Sequence, residues 1–276
     1  MRILFVTSVL ILFCAGKSYG QLSLSPSSVF IEPKTKTATM AIKNNSKDRK
    51  EISVRFRYGY LDYNEAGKPH INYEDTVSEA RYSLCKIIMA IPPKMILNPG
   101  EESVIMLKLK ESSALPDGAY FTRVIIETSN AESNVDENSG KIESGIGVNI
   151  KIVGAVMYLK GKVNTSLEIT DISHCLKDSS LDFSMSLKRE KGNAPYLGRM
   201  DAYIYDVDGN IIDSITGSNC TVYFQGKIIL SFGRITLKPG KYYALVHIDT
   251  QREDIPEHYI IPTDKITRKY DFEIPE

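Results

Sequence analysis

The sequence predicts an all-β chain built as two successive β-sandwiches. Three observations predict it. Apolar residues recur with a period of two, with no sustained helical period anywhere. Gly and Pro turns cut the chain into short segments about 8–14 residues apart. The pattern then restarts after Leu159, and 276 residues are enough for two such domains. The predicted organisation is a leader over residues 1–20, a first sandwich over 21–159 and a second over 160–276.

The leader comes first. Arg2 opens it, residues 3–15 form an apolar run broken only by Thr7 and Ser8, and Ser18 and Gly20 supply small residues before Gln21. This reads as a cleaved secretory signal peptide, too short for a membrane span, with cleavage between Gly20 and Gln21. Its removal takes Arg2 and Lys17 and leaves 32 basic against 34 acidic residues, a formal charge of −2. No later stretch is long and apolar enough to cross a membrane. A near-neutral balance gives no reason to expect a nucleic-acid or membrane-surface partner.

From Leu22 the strands follow in order. LSLSPSSVFIEP and TATMAIKNN come first, then EISVRFRYGYLDY and the turn NEAGKP. DTVSEARYS is the best candidate for one short helical turn. In SLCKIIMAIPP, Cys85, Ile87, Met89 and Ile91 share a face, so Cys85 is expected as a buried free thiol. The Pro99-Gly100 turn, SVIMLKLK, the turn ALPDG and AYFTRVIIET complete the first set.

Residues 142–159, IESGIGVNIKIVGAVMYL, organise the rest. Ile146, Val148, Ile150 and Ile152 alternate with Gly147, Asn149 and Lys151 along one extended strand. A polar, acidic segment over residues 129–145 feeds it. Such a strand serves either its own core or the sheet edge of another protein. Past the polar stretch 159–166, SLEITDIS, LDFSMSLKRE, GRMDAYIYD, CTVYFQ, KIILSFGRITL and KYYALVHID form the second set.

Residues 21–276 hold three cysteines, so at least one thiol is free or bonded to another chain. Cys175 and Cys220, in the same predicted domain, are the candidates for a disulfide. His70, His174, His247 and His258 are scattered without metal-ligand spacing, and no metal or cofactor is expected. Asp206-Val207-Asp208-Gly209-Asn210 reads as a hairpin turn, because the carboxylate that would close a calcium loop is missing. With neither a nucleophile elbow nor a phosphate-cradling loop, the chain is read as a non-enzyme.

Several of these segments carry a resemblance. AIPPKMILNPGEESVIMLKLK followed by LPDGAYFTRVIIET resembles the first domain of the PapD-like periplasmic chaperones through Pro92-Pro93, Ile96, Pro99-Gly100 and Leu115-Pro116. KGNAPYLGRMDAYIYDVDGNII and LKPGKYYALVHID resemble the second domain of such two-domain chaperones. The resemblance implies two immunoglobulin-like sandwiches set at an angle. It implies a periplasmic chaperone that captures secreted pilus or fimbrial subunits and passes them to an outer-membrane usher. It further implies that Ile146, Val148, Ile150 and Ile152 are the donor strand, lent to a subunit that lacks its last strand. Four such side chains supply on the order of 6–12 kcal/mol before entropy and desolvation are subtracted. The family's cleft Arg and Lys fall at Ser28 and at Ala155 or Met157, so anchoring of a client carboxylate is weak or uses another cation such as Lys151. The alternative is a secreted tandem sandwich with a structural or adhesive role.

Overall fold

A computed structural model describes residues 21–110, 114–130, 149–177, 180–233 and 237–275. The leader, Ile146 and Val148 lie outside these residues. Alternating apolar side chains fold the first part of the chain into two facing sheets. One has the order β1 (Leu22–Ser25), β3 (Thr37–Asn44), β9 (Glu102–Leu109), β7 (Ile88–Ile91). The other has the order β2 (Ser28–Ile31), β11 (Lys151–Lys160), β10 (Gly118–Asn130), β4 (Lys50–Arg57), β8 (Lys94–Leu97). Their inner faces meet in a core that includes Ile31, Ile42, Ile52, Ile105, Val124 and Val156.

The second part repeats the plan. β12 (Glu168–Lys177), β13 (Ser180–Lys188) and β16 (Gln225–Gly233) form one sheet. β15 (Ile211–Val222), β14 (Tyr196–Asp206), β17 (Gly240–Asp249) and β18 (Ile266–Ile274) form the other. Leu181, Phe183, Tyr196, Ile204, Val246 and Phe272 are among the side chains of their shared core. The chain is therefore the two-sandwich, all-β protein that the period of two predicts.

A hairpin of β5 (Tyr60–Tyr63) and β6 (Pro69–Asn72) leaves the first sandwich, and α1 (Thr76–Tyr82) follows it. α1 is the short helical turn expected in DTVSEARYS. The Asp75 side chain caps it by accepting a hydrogen bond from Ser78 N at 2.9 Å. The Asp206–Asn210 turn is held by its own carboxylate, with Asp206 Oδ1 accepting from Asp208 N at 3.0 Å and Asn210 N at 2.8 Å.

Two expectations are corrected here. In SLCKIIMAIPP the strand begins only at Ile88, so Ile88 and Ala90 point inward while Met89 and Ile91 are exposed. The turn just before it, closed by Ile87 N and Ile88 N on Leu84 O, shifts the alternation by one residue. Cys85 is half-buried, with its Sγ 3.0 Å from Thr122 Oγ1. The candidate bridge is absent as well, because Cys175 and Cys220 are both free. Cys175 is exposed on β12, whereas Cys220 is buried on β15 in the other sheet.

Burial pushes the Cys220 thiol up to about 12. Thiol labelling of the native protein near neutral pH should therefore modify Cys175 first and leave Cys220 untouched. All three thiols of residues 21–276 should react once the chain is denatured. A single reactive thiol in denaturant would restore the disulfide.

Candidate functional site

The site is built around β11. Its side chains divide by parity: Ile152, Gly154, Val156 and Tyr158 face the core of the first sandwich, and Ala155, Met157 and Leu159 face outward. β10 runs antiparallel along its whole length, pairing Gly118 with Lys160 and Glu127 with Lys151. On its other side β2 runs parallel and pairs only from Ala155 to Tyr158. Ile150 O accepts from Thr128 N on the β10 side, and Ala155 N donates to Ser27 O on the β2 side, both at 2.9 Å. Backbone groups alternate along a strand, so those of Lys151 and Val153 point away from β10. Among the described residues no strand pairs with them there, and the sheet edge is open from Lys151 to Gly154.

Gly154 marks where the edge closes. A Cβ at this position would stand 2.9 Å from Val124 Cγ1 and 3.0 Å from Ser27 O. A side chain there would push β2 off the strand.

Ile150 and Ile152 are half-buried and pack on the margin of the first core. They do not stand clear of it, as a purely outward-facing donor surface would require. The reason is geometric: they share the inward face of β11, beyond the point where the opposite sheet covers it fully. An acid placed at Ile150 therefore weakens this sandwich as well as any partner surface. Lys151 lies four residues from Ala155, about 13 Å along the strand. Its Nζ is 3.4 Å from Glu127 Oε1. Arg55 also binds Glu127, and together the two cations hold that carboxyl below its usual range, Arg55 first. Lys151 thus belongs to an exposed charge ladder at the far end of the edge and does not reach the cleft.

Ser28 does reach it. Ser28, Ala155, Arg123 and Arg57 are direct cross-strand neighbours on β2, β11, β10 and β4. The two small residues leave space above the sheet. That space is part of a pocket of about 260 Å3 between the sandwiches, walled by Phe30, Leu61, Ile71, Met157, Leu197 and Ile255. Two arginines absent from the sequence-based site, Arg123 and Arg252, also line it.

The second sandwich covers the rest of this outer face. Phe121 is its centre, with ring centroids 4.6 Å from Tyr223, 5.6 Å from Tyr58 and 5.7 Å from Tyr82. Phe224, next in the β15–β16 turn, lies edge-on to Tyr60 at 4.9 Å. Asn193 pins the junction from the side, donating through Nδ2 to Asp117 O at 3.1 Å and Lys162 O at 3.0 Å. Its carbonyl also accepts from Ala119 N at 2.9 Å. Tyr259 stacks on Phe30 of β2 at 4.5 Å and donates to Glu32 Oε2 at 3.3 Å.

No family model matches the chain, and no curated protein matches it. Solved structures do resemble it. The class 5 fimbriae chaperone CfaA is 17% identical, with 90% of this chain and 98% of that chain covered and a TM-score of 0.46. A structure of the Salmonella enterica SafA pilin in complex with the SafB chaperone is 10% identical, covering 94% and 99%, with a TM-score of 0.39. The Pseudomonas aeruginosa CupB2 chaperone is 8% identical, covering 90% and 98%, with a TM-score of 0.42.

Replacing Phe121 tests the junction. Phe121→Ala should cost about 3–5 kcal/mol, because five aromatic rings lose their common neighbour. Chemical denaturation should show that loss, and limited proteolysis should cut faster near Lys160–Asn164. An unchanged denaturation midpoint would mean that the sandwiches do not depend on this contact.

Proposed function

We propose that this protein is a periplasmic chaperone for pilus or fimbrial subunits, and that it holds them by lending them strand β11. The observation that carries the reading is the open edge from Lys151 to Gly154, flanked by half-covered Ile150 and Ile152. An unpaired edge is a template for another strand. A subunit missing its final strand could pair with the backbone of Lys151 and Val153, and this pairing requires no particular sequence. Ile150 and Ile152 lie on the core side of the same strand, so the client's core would continue this protein's own. In the sequence, Ile146 and Val148 continue the same alternation upstream, outside the described residues.

The rest of the structure supports this use. β10 pairs with β11 from Lys151 to Lys160, so the edge is presented on a rigid sheet. The ladder Arg55–Glu127–Lys151 caps its solvent side with charge. Holding a client this way involves no reacting group, which fits a non-enzymatic role. The leader over residues 1–20 fits export to the periplasm, and delivery to an outer-membrane usher belongs to the same proposal.

Val153→Pro tests the reading on one atom pair. Val153 directs its backbone away from β10, so proline removes an outward N–H and leaves the internal ladder intact. The melting temperature should stay within a few degrees of the original. Co-purification of a co-expressed pilin-like subunit should be lost. Undiminished co-purification would mean that β11 does not receive the client, and the tandem structural or adhesive reading would then stand in its place.

A further inference from the structure

The β5–β6 hairpin is a two-stranded sheet of its own, and among the described residues neither strand pairs with a sandwich. Four cross-strand pairs hold it, with a turn in which Asn64 Oδ1 accepts from Lys68 N at 2.9 Å. A lone hairpin of this size is marginally stable in water at best, so it depends on what it lies against. Its base stays with the first sandwich, where the Tyr60 hydroxyl donates to Asp75 Oδ2 at 2.9 Å. Beyond the base it lies along the second. Tyr60 meets Tyr223 at 5.5 Å and Phe224 at 4.9 Å. Tyr63 packs on the second core, where Gly226 makes room for it: a Cβ there would stand 2.6 Å from Tyr63 Cδ2. At the tip, a Cβ on Gly67 would stand 2.6 Å from Ile229 Cγ1 of β16. Burial first, and then the neighbouring Cys220 thiol, push the Tyr63 hydroxyl up to about 12. A side chain of the first part of the chain thus closes over the core of the second.

We propose that this hairpin is a latch on the pocket between the sandwiches, folded and seated while the pocket is closed and melted when it opens. Leu61 and its cross-strand partner Ile71 form one wall of the pocket, with Tyr63 beside them. Ser28 and Ala155 of the first sandwich line it too, as do Asn219 and Thr221 of the second. The seated hairpin therefore fixes how far apart these surfaces stand. Releasing it is a local event, because among the described residues no sheet of either sandwich loses a hydrogen-bonded neighbour. Seating it is cooperative, because four pairs alone do not sustain a hairpin and the contacts with residues 223–229 must form together. Such an element has two states, not a continuum of positions. A body too large for about 260 Å3 displaces Leu61 and Ile71, so filling the pocket and releasing the latch become one event. The latch works whether or not β11 receives a client.

Amide hydrogen exchange and prolonged thiol labelling of the whole protein, both read by mass spectrometry, test the latch. In the unaltered protein residues 60–72 should open together. Cys220 should be labelled as fast as they open, and about tenfold or more faster than β13 and β17 open. Tyr63→Ala should speed both readings by a further tenfold or so while β13 and β17 keep their protection. Tyr63→Phe, which keeps the ring, should behave as the original. Gly226→Ala should act as Tyr63→Ala does, yet add less than about twofold in the double variant, because the ring it strikes is gone. Small-angle X-ray scattering should give Tyr63→Ala a larger radius of gyration than Tyr63→Phe. Cys220 labelled only as fast as β13 and β17 open would overturn the proposal, since the thiol would then be sealed by its own domain. Equal radii would overturn it too, as would effects of Tyr63→Ala and Gly226→Ala that multiply. The comparison of Cys220 with residues 60–72 uses the unaltered protein, so it decides the matter even if a variant fails to fold. Val153→Pro should leave every one of these readings unchanged, which separates the latch from the open edge.

Discussion

Phe121 stands where the two sandwiches meet, ringed by Tyr58, Tyr60, Tyr82, Tyr223 and Phe224. An antiparallel sheet commonly buries one face and wets the other. Here the outer face of β10 and β11 is wet only at its distal end. From Ala119 and Leu159 inward it is a second interface, filled by the β15–β16 turn. This one burial holds Arg123 beneath the second sandwich and defines the pocket. It also leaves the distal half of β11 as the stretch whose backbone is still exposed.

The open edge has its own cause. The first strand of the chain is divided between sheets: β1 pairs with β3, and after Pro26 the chain crosses to become β2 in the opposite sheet. β2 has only four residues to give, and Gly154 sets where it begins to lie against β11. Beyond that glycine β11 keeps β10 on one side and has no neighbour among the described residues on the other. The sheet is incomplete because its edge strand is divided between two sheets.

How much of this is legible in the sequence depends on whether the signal is local. Strands with one wet face, such as TATMAIKNN, show their alternation directly, and both sandwiches follow from that. β11 is legible as a strand, but the orientation of its side chains is not, because both faces are buried from Val156 to Leu159 and the alternation dissolves into an apolar run. The same burial hides Arg123. AYFTRVIIET reads as a core strand with one polar interruption, and only the register Ser28–Ala155–Arg123 shows that the cation stands across the sheet from the expected anchor. A lone arginine on the same parity as Phe121 and Ile125 is the available sign. Lys151 is misplaced by sequence reasoning because nearness along the chain does not bring a residue to the cleft. The pairing of Cys175 with Cys220 fails because spacing says nothing about which sheet a strand joins.

Tyr259 has a mechanical consequence. It belongs to the segment between β17 and β18, yet it stacks on Phe30 and bonds Glu32 at the far end of β2. β2 runs parallel to β11, so a pull along β11 loads their short ladder in shear, where several hydrogen bonds must slip together. Clamped by Tyr259, β2 cannot follow that pull without dragging the second sandwich along. Force applied at the open edge is therefore borne by the whole molecule, and the weakest strand of the sheet is the one held from outside its own domain.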